Sequence, residues 1–443
     1  MNYPRLLAYL LVLLGAFPAA CWAQNPTTPP VNIIQLLDSV ALRLKQHYIF
    51  PEEAQRLAAY VQSPATKQAY AALAANPTLL VKHLRADLQT VHRDPHLFVA
   101  YNPALATSSQ VSAQPTAAEL AQAKKYCKAN NYLFKKAEVL PGNIGYLPFT
   151  DFVPDLAGAQ PTIHVALQFL ANTSALVIDL RTNMGGSPEM VNLLESYFFR
   201  EKTHLNDLIN RSTNDTTVFY TDLAKAQHLT LAMPVFILTS HDTFSGAEDF
   251  AYAMQMAQRA LVVGETTGGG AHPTKPVSVG QGFVVSIPFA RSLNPVTHTD
   301  WEGTGVVPDV KTAARHALAK AQELALQAQR QTASTEQEKH QLDYLLNELP
   351  RPHPAPVLPP HVLQPYVGTY GPLTIYLASQ QLFCKNAEAG NLVTKLKYLA
   401  PNRFVLDDNA HVEFVQDAKG TYPLIKLYVS DGNVFEERRK KLR

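Results

Sequence analysis

Residues 234–248 read PVFILTSHDTFSGAE, an apolar run followed by a short polar turn and a serine. The run VFILT predicts a strand, and GAEDFAYAMQMAQ predicts a helix that begins beside Ser245. Unpaired backbone N–H groups point outward at such a helix N-terminus, and Gly246 allows close approach, so the turn could hold a developing oxyanion beside a serine nucleophile. On this stretch alone a structural role is favoured, since Ser245 and Glu248 have the Ser-x-x-Glu spacing of a capping box. The local sequence TFSGA lacks the G-x-S-x-G elbow of the α/β-hydrolases.

Four further stretches carry residues that could assist a serine. Gly185 and Gly186 end ALVIDLRTNMGG, where their amides could face an anion or a carbonyl, although the stretch lacks the spacing of a phosphate loop. His96 leads into a short strand pattern, Glu302 lies in the loop DWEGTGVVPDV, and GETTGGGAHP is a second glycine-rich loop. Taken singly, each also fits a plain structural role as a turn, a solvated acid or a surface histidine.

Composition and charge argue against a disordered protein and against a nucleic-acid-binding protein. The 443-residue chain is 47% hydrophobic and 17% charged, which is typical of a globular protein and not of a disordered one. A net charge of +2 without basic clusters gives no electrostatic surface for nucleic acid, so we expect no nucleic-acid partner.

The N-terminal sequence MNYPRLLAYLLVLLGAFPAACWAQNP predicts a secretory signal peptide over residues 1–23. A transmembrane anchor is the alternative, but the apolar run is shorter than the ~20 residues that span a bilayer, and no later segment is long enough. Cys21 allows a lipoprotein as a further alternative, although Pro18 does not fit a lipidation motif. We therefore expect an exported protein, periplasmic or extracellular, without an integral membrane span after cleavage.

Cleavage would leave two cysteines, Cys127 and Cys384, too few for a disulfide scaffold. Neither has a nearby histidine or cysteine partner, so we expect no structural zinc, and nothing in the sequence implies another metal or an organic cofactor. The sequence leaves open whether the two cysteines pair and whether the protein forms oligomers.

The patterns of apolar residues predict the domains that must position these residues. Residues 31–103 have apolar side chains spaced by three and four, which predicts an N-terminal helical cap domain, and the polar stretch 104–119 predicts a loop. In residues 120–315 short apolar runs such as SALVIDL alternate with helical segments, which predicts an α/β core whose sheet is covered on both faces.

Beyond the core, residues 316–349 have the pattern of a helical connector. Six prolines then fall in residues 350–360 and predict an extended linker. Strand-like runs separated by turn residues predict an all-β sandwich or barrel over residues 361–443.

Five stretches of the sequence, taken together and in their order along the chain, resemble the S41 peptidase family. That family includes carboxy-terminal processing proteases, the tricorn protease core and the modules of interphotoreceptor retinoid-binding protein. The stretches are GNIGYLPFTDF (142–152), ALVIDLRTNMGG (175–186), VFILTSHDTFSGAEDFAYAM (235–254), VVGETTGGGAHP (262–273) and EGTGVVPDV (302–310). The helices ending in DPHLFV resemble the N-terminal cap of the retinoid-binding branch, so the resemblance covers residues 31–315 and implies a crotonase-like (ClpP/crotonase) α/β core.

The resemblance also implies roles for residues. Ser245 would be the nucleophile, and the oxyanion donors would be the N–H of Gly246 and one from the Gly185–Gly186 turn. Processing proteases of the family activate the serine with a lysine in a G-E-x-T-x-G-K-G loop, but Gly270 stands at the lysine position here.

A histidine base is the remaining route. Tricorn-like members use a histidine before the core and a glutamate from an E-x-x-G-V-x-P-D loop, and His96 and Glu302 stand at those positions, with Pro95 in place of the adjacent polar residue. A histidine with an ordinary pKa of about 6.5 suits a general base at neutral pH. His272 in the glycine loop is a rival base, and His241 is a second rival.

The predicted function is that of an exported serine endopeptidase that cleaves peptides or unfolded proteins through an acyl-enzyme at Ser245. Arg181 is a candidate for binding a substrate carboxylate, with a buried structural ion pair as the alternative. A different class of function also fits, namely an inactive binding protein for an apolar ligand or peptide. Gly270 and Pro95 favour that alternative, whereas the retained Ser245 and Glu302 oppose it.

Overall fold

The computed structural model describes residues 30–94, 96–107, 117–211, 213–350 and 356–440. The predicted signal peptide with Cys21, the proline at position 95 and residues 351–355 of the predicted linker lie outside the described residues. Within the described ranges, no helix has both the length and the apolar character needed to cross a membrane.

The chain has a mixed α/β fold and divides into two compact units. The first unit comprises the residues up to 138 together with 146–172 and 176–314. The second comprises 139–145, 173–175 and the residues from 315 onward. Every candidate catalytic residue named above belongs to the first unit.

The N-terminal part of the first unit is helical, as its periodicity predicts. Its helices begin with residues that suit helix N-termini: Asn32, Ser63 and Asn76 each accept a hydrogen bond from a first-turn N–H. The elements are α1 (Ile33–His47), α2 (Pro51–Gln62), α3 (Pro64–Ala71), α4 (Pro77–Val91), β1 (Phe98–Tyr101), α5 (Pro103–Thr107) and α6 (Ala117–Ala129). A 3₁₀ turn follows at Asn131–Leu133.

The strands and helices that follow along the chain carry the candidate site, and residues 139–145 and 173–175 among them belong to the second unit. They are β2 (Glu138–Leu140), β3 (Ile144–Pro148), α7 (Leu156–Phe169), β4 (Ala175–Asp179), α8 (Pro188–Ser196), β5 (His204–Asn210), β6 (Asp215–Tyr220), β7 (Val235–Thr239), α9 (Gly246–Met256), β8 (Ala260–Gly264), β9 (Thr274–Gly280), β10 (Phe283–Pro288), β11 (Ala290–Leu293) and β12 (Val310–Lys311).

A six-stranded sheet with the order β12-β8-β7-β4-β3-β2 carries the turns of the candidate site. Strands β4, β7, β8 and β12 run parallel, and every residue of β4 and β7 is buried. Parallel neighbours end at the same edge of a sheet, so the turns that follow β4 and β7 meet there. These are the turns that contain the paired glycines and Ser245.

The N-terminal helices do not form a core of their own. Their buried side chains, such as Leu36 and Leu84, pack in one cluster with Val277, Phe283 and Val285 of β9 and β10. Strand β1 pairs with β10, so residues 98–101 extend the sheet β1-β10-β9. A second small sheet has the order β11-β5-β6, and neither small sheet is evident from the sequence periodicity.

The second unit combines helices with two antiparallel sheets. Its helices are α10 (Ala314–Thr332), α11 (Glu336–Glu348) and α12 (Pro360–Leu363), followed by a 3₁₀ turn at Gln364–Tyr366. One sheet contains β13 (Gly368–Tyr370), β14 (Leu373–Ala378), β15 (Gln381–Asn386) and β16 (Leu392–Lys395). The other contains β17 (Lys397–Ala400), β18 (Arg403–Asp407), β19 (Ala410–Val415), β20 (Leu424–Val429) and β21 (Val434–Arg438).

Candidate active site

Ser245 lies on a strained turn between β7 and α9. Its backbone has φ 51° and ψ −120°, a conformation that residues other than glycine rarely adopt. Two hydrogen bonds of Thr243 fix the turn. Its Oγ1 donates to Leu180 O at 2.8 Å and accepts from Ser240 N at 2.9 Å. Strain of this kind is typical of functional sites, and it is present although the G-x-S-x-G sequence is not.

Glu248 connects the serine turn to the glycine-rich loop. Its Oε2 accepts from Ser245 N at 2.7 Å and from Gly270 N at 2.8 Å, and its Oε1 accepts from Gly269 N at 2.7 Å and from Thr267 Oγ1 at 2.5 Å. Burial raises the pKa of Glu248, although these hydrogen bonds act to lower it. The carboxyl group therefore completes the predicted capping box and also fixes the loop.

The paired glycines lie against the start of α9. A Cβ placed on Gly246 would lie 3.1 Å from Gly186 N, and one placed on Gly185 would lie 2.5 Å from Gly246 N. Gly185 N donates to Asn183 Oδ1 at 2.8 Å and is therefore occupied. Among the described residues, the N–H groups of Gly186 and Gly246 have no acceptor, so these two remain as donors for an oxyanion.

His96 contacts two carboxylates. Its Nδ1 lies 2.7 Å from Glu302 Oε1 and 3.6 Å from Asp94 Oδ1, and its backbone N–H donates to Asp94 Oδ1 at 2.9 Å. Burial acts to lower the pKa of His96, but the two carboxylates outweigh burial and raise the pKa to about 9. Because Nδ1 is occupied by Glu302, Nε2 is the ring nitrogen left for proton transfer.

Both carboxylates are themselves held in place. Asp94 Oδ2 accepts from the Tyr48 hydroxyl at 2.7 Å, and Glu302 Oε2 accepts from Ala271 N at 2.7 Å. Burial acts to raise the pKa of Asp94, yet the hydrogen bonds from His96 and Tyr48 lower it. His96, Asp94 and Glu302 thus form a hydrogen-bonded network that reaches the glycine-rich loop at Ala271.

Phe244 joins this network to the serine. The His96 and Phe244 rings have centroids 5.5 Å apart, with an angle of 32° between their planes. Phe244 immediately precedes Ser245, so the structure brings His96 and Glu302 beside the serine turn. No hydrogen bond between Ser245 Oγ and His96 is present in the described part of the chain.

The rival histidines occupy different positions. His272 is 4% exposed, with Nε2 3.4 Å from Asp300 Oδ2 and Nδ1 3.5 Å from Glu302 Oε2. It therefore faces the Glu302 oxygen that His96 does not contact. His241 is 76% exposed and lies 4.0 Å from Glu265. Neither has the ring contact beside the serine that His96 makes through Phe244.

The guanidinium group of Arg181 is hydrogen-bonded to other residues of the protein. Its Nε and Nη2 donate to the two oxygens of Asp179 at 2.9 and 2.6 Å, and its Nη1 donates to Ala314 O at 2.7 Å. Burial acts to raise the pKa of Asp179, but the hydrogen bonds and charge of Arg181 outweigh it and lower the pKa. This geometry favours the structural ion pair over a site for a substrate carboxylate.

Asp94, His96 and Glu302 also form the one grouping with metal-ligand spacing in the described ranges, with one ligand atom from each within 4.8 Å of the others. Each of these groups already has a partner inside the protein. His96 pairs with Glu302, and Asp94 accepts hydrogen bonds from Tyr48 and His96. The arrangement suits an oriented imidazolium better than a metal ion.

Two contributors to the site were not recognised in the sequence. Asp94 stands two residues before His96, a spacing at which an aspartate side chain accepts a backbone N–H, and this local signal could have identified it. Phe244 gives no such signal, because its role depends on the ring contact with His96 and on the space beside Gly270.

Two protein-family models match this chain, and together they cover the stretches whose order resembles the S41 family. A family model described as "Peptidase family S41" matches residues 143–312. A second, "N-terminal domain of Peptidase_S41 in eukaryotic IRBP", matches residues 31–139. A carboxyl-terminal-processing peptidase 2, chloroplastic, from Arabidopsis thaliana is 31% identical over 180 residues, which are 38% of this chain and 33% of that protein. The chain thus spans about one third of the length of this curated relative.

Similar solved structures include a photosystem II D1 C-terminal processing protease, with a TM-score of 0.43 and 16% identity over 64% of this chain and 94% of that one. A further similar structure, from Parabacteroides merdae, is described as a putative peptidase. It has a TM-score of 0.41 and 17% identity over 66% of this chain and 96% of that one.

Proposed function

Since the chain belongs to peptidase family S41, we propose that it is a serine-type endopeptidase with Ser245 as nucleophile and His96 as general base. The observation that carries this proposal is the strained serine turn, which includes the open N–H of Gly246, lies against the open N–H of Gly186 and contacts the His96–Glu302 pair through Phe244. Peptides or unfolded proteins are the proposed substrates.

The proposed reaction has two stages. His96 Nε2 takes the proton from Ser245 Oγ while the Oγ–carbonyl carbon bond forms, and the carbonyl oxygen gains negative charge between Gly186 N–H and Gly246 N–H. The carbon–nitrogen bond then breaks, and the imidazolium returns the proton to the leaving amine. In the second stage water attacks the ester carbonyl, His96 accepts the water proton, and the proton passes to Ser245 as the acid is released.

Glu302 has the role of orienting the base. Its hydrogen bond to Nδ1 fixes the ring and stabilises the imidazolium that forms in both stages. We also propose that the parallel sheet and its helices are the crotonase-like core that the family resemblance implies, supported by the parallel order of β4, β7 and β8. The domain limits given above remain predictions.

The first test is mass spectrometry of purified protein after treatment with a fluorophosphonate. We expect a single adduct on Ser245 that is absent from Ser245→Ala, followed by cleavage of unfolded casein by the wild type alone. No adduct on a folded protein would refute an activated serine and would favour the binding-protein alternative, which an apolar-ligand screen would then examine.

Export is a separate proposal that rests on the N-terminal sequence. The test is expression in a bacterium that has a periplasm, followed by N-terminal sequencing of the secreted or periplasmic protein. Gln24 should be the first residue. Recovery of an intact N-terminus in the cytoplasm would contradict cleavage after Ala23, and a lipid-modified Cys21 would support the lipoprotein alternative instead.

A further inference from the structure

The Phe244 side chain fills the space that a side chain at residue 270 would need. A Cβ placed on Gly270 would lie 2.3 Å from Cζ and 2.5 Å from Cε2 of the Phe244 ring, far inside normal contact. A Cβ placed on Gly268 would lie 2.7 Å from Cδ2 of the same ring. Neither of these two glycines has a left-handed backbone, so occupied space alone excludes a side chain there.

The same ring also packs against the His96 imidazole. The Phe244 and His96 rings lie 5.5 Å apart at 32°, within the distance range of packed aromatic pairs. The hydrogen bond to Glu302 holds only the Nδ1 edge of the imidazole. A ring bound at one edge can still rotate about that contact, so the tilted packing against Phe244 supplies the second constraint.

The backbone of Phe244 is itself fixed. Its N–H donates to Asn183 O at 3.1 Å, and its carbonyl accepts from Ala247 N at 3.0 Å. These backbone hydrogen bonds fix the position from which the Phe244 ring extends. A side chain at residue 270 would displace the ring from the place in which it contacts His96.

We propose that Phe244 is a positioning residue that sets the orientation of the His96 ring relative to Ser245, and that Gly270 lacks a side chain so that Phe244 can occupy this place. The inference rests on the proposed function, in which His96 is the base.

The test is a double-mutant cycle with Phe244→Ala, Gly270→Ala and the combined variant. The readout is the second-order rate constant for fluorophosphonate labelling of Ser245. We expect Phe244→Ala to lower it about tenfold or more, since small misplacements of a catalytic group have effects of this size. Gly270→Ala should lower it about tenfold in the wild-type background but less than about twofold beside Phe244→Ala, because the new methyl group enters vacated space.

The pH dependence of labelling separates positioning from general loss of structure. Burial acts to lower the pKa of His96, so removing the Phe244 ring should move the acidic limb of the profile to higher pH. Phe169→Ala, at a residue 60% exposed on α7, is the matched control and should leave both rate and profile unchanged. Phe244→Leu keeps bulk without a flat face and serves as a milder variant if Phe244→Ala does not fold.

The outcomes are distinguishable. If Ser245 of the wild type is labelled and the Phe244 variants have the same labelling rate and pH profile as the wild type, the positioning role is overturned. The proposed function would remain intact. Equal effects of Gly270→Ala in both backgrounds would overturn the link between the two residues. Absence of any Ser245 adduct in the wild type would overturn the proposed function and this inference with it.

Discussion

The two carboxylates beside His96 predict a steep dependence of Ser245 reactivity on pH. Burial acts to lower the pKa of His96, but Asp94 and Glu302 raise it to about 9 from the model-peptide value of 6.5. The difference corresponds to about 3 kcal/mol in favour of the imidazolium. Only the neutral imidazole can accept the serine proton, and at pH 7 roughly one percent of His96 is neutral. Reactivity should therefore rise about tenfold per pH unit between about pH 7 and 9.

Asp94→Asn isolates one of the two charges. The amide keeps the size of the side chain and an oxygen that can accept the His96 N–H, but the negative charge is lost. We expect the acidic limb of the labelling profile to move down by about one pH unit and labelling at pH 7 to increase about tenfold. Asp38→Asn removes a surface carboxylate paired with Lys67 and is the matched control, with no expected shift.

The assay is the rate of fluorophosphonate labelling of Ser245 by intact-mass spectrometry across the range from weakly acidic to alkaline buffer. A wild-type profile that levels off above an inflection of about 6.5 would refute the reasoning. So would an Asp94→Asn profile that coincides with that of the wild type.

Three further predictions concern stability. The contribution of His96 to the free energy of unfolding is fully present below about pH 6.5 and is lost as the pH rises through about 9, so urea titrations should show a decline that His96→Asn flattens. Arg181→Gln leaves Asp179 buried without its cation and should lower stability by about 3 kcal/mol with KM for casein unchanged, whereas a raised KM would restore the substrate-binding role. Burial raises the pKa of Asp249 well above its usual range, and the pKa of the neighbouring buried Glu195 is raised by burial and by the Asp249 charge, so native stability falls as the pH rises above the usual carboxyl range. Asp249→Asn should weaken that fall and be more stable than the wild type at pH 8, and identical pH dependence of the two proteins would show that ionisation of Asp249 does not cause it.

Local signals in the sequence predicted much of what surrounds Ser245. The strand, the turn and the capping box all lie within residues 235–248, where an apolar run, a polar turn and the Ser-x-x-Glu spacing indicate them. A sheet covered on both faces was predicted from fully apolar runs in the same way. Strand β6 was not predicted, because its first four residues are all exposed and it lacks the alternation of apolar and polar residues that marks a half-buried strand.

Contacts between distant residues could not be derived from local patterns. His96 and Glu302 are 206 positions apart, and only the family resemblance suggested both. That resemblance is confirmed by the S41 match over residues 143–312. The raised pKa of His96 depends on Asp94 as well, and the clash that a side chain at Gly270 would make with the Phe244 ring is visible only in the structure.

A serine held at φ 51° carries an energetic penalty that glycine would not have. Ser245→Gly would relax the turn by about 1 kcal/mol or more, while Ser245→Ala would keep the strain and lose the hydroxyl. In a lineage that no longer used the hydroxyl, neutral drift would therefore run toward glycine at this position. Under the proposed function, serine is retained at this position for its hydroxyl at the expense of stability, and glycine in its place in a related chain would indicate loss of peptide cleavage.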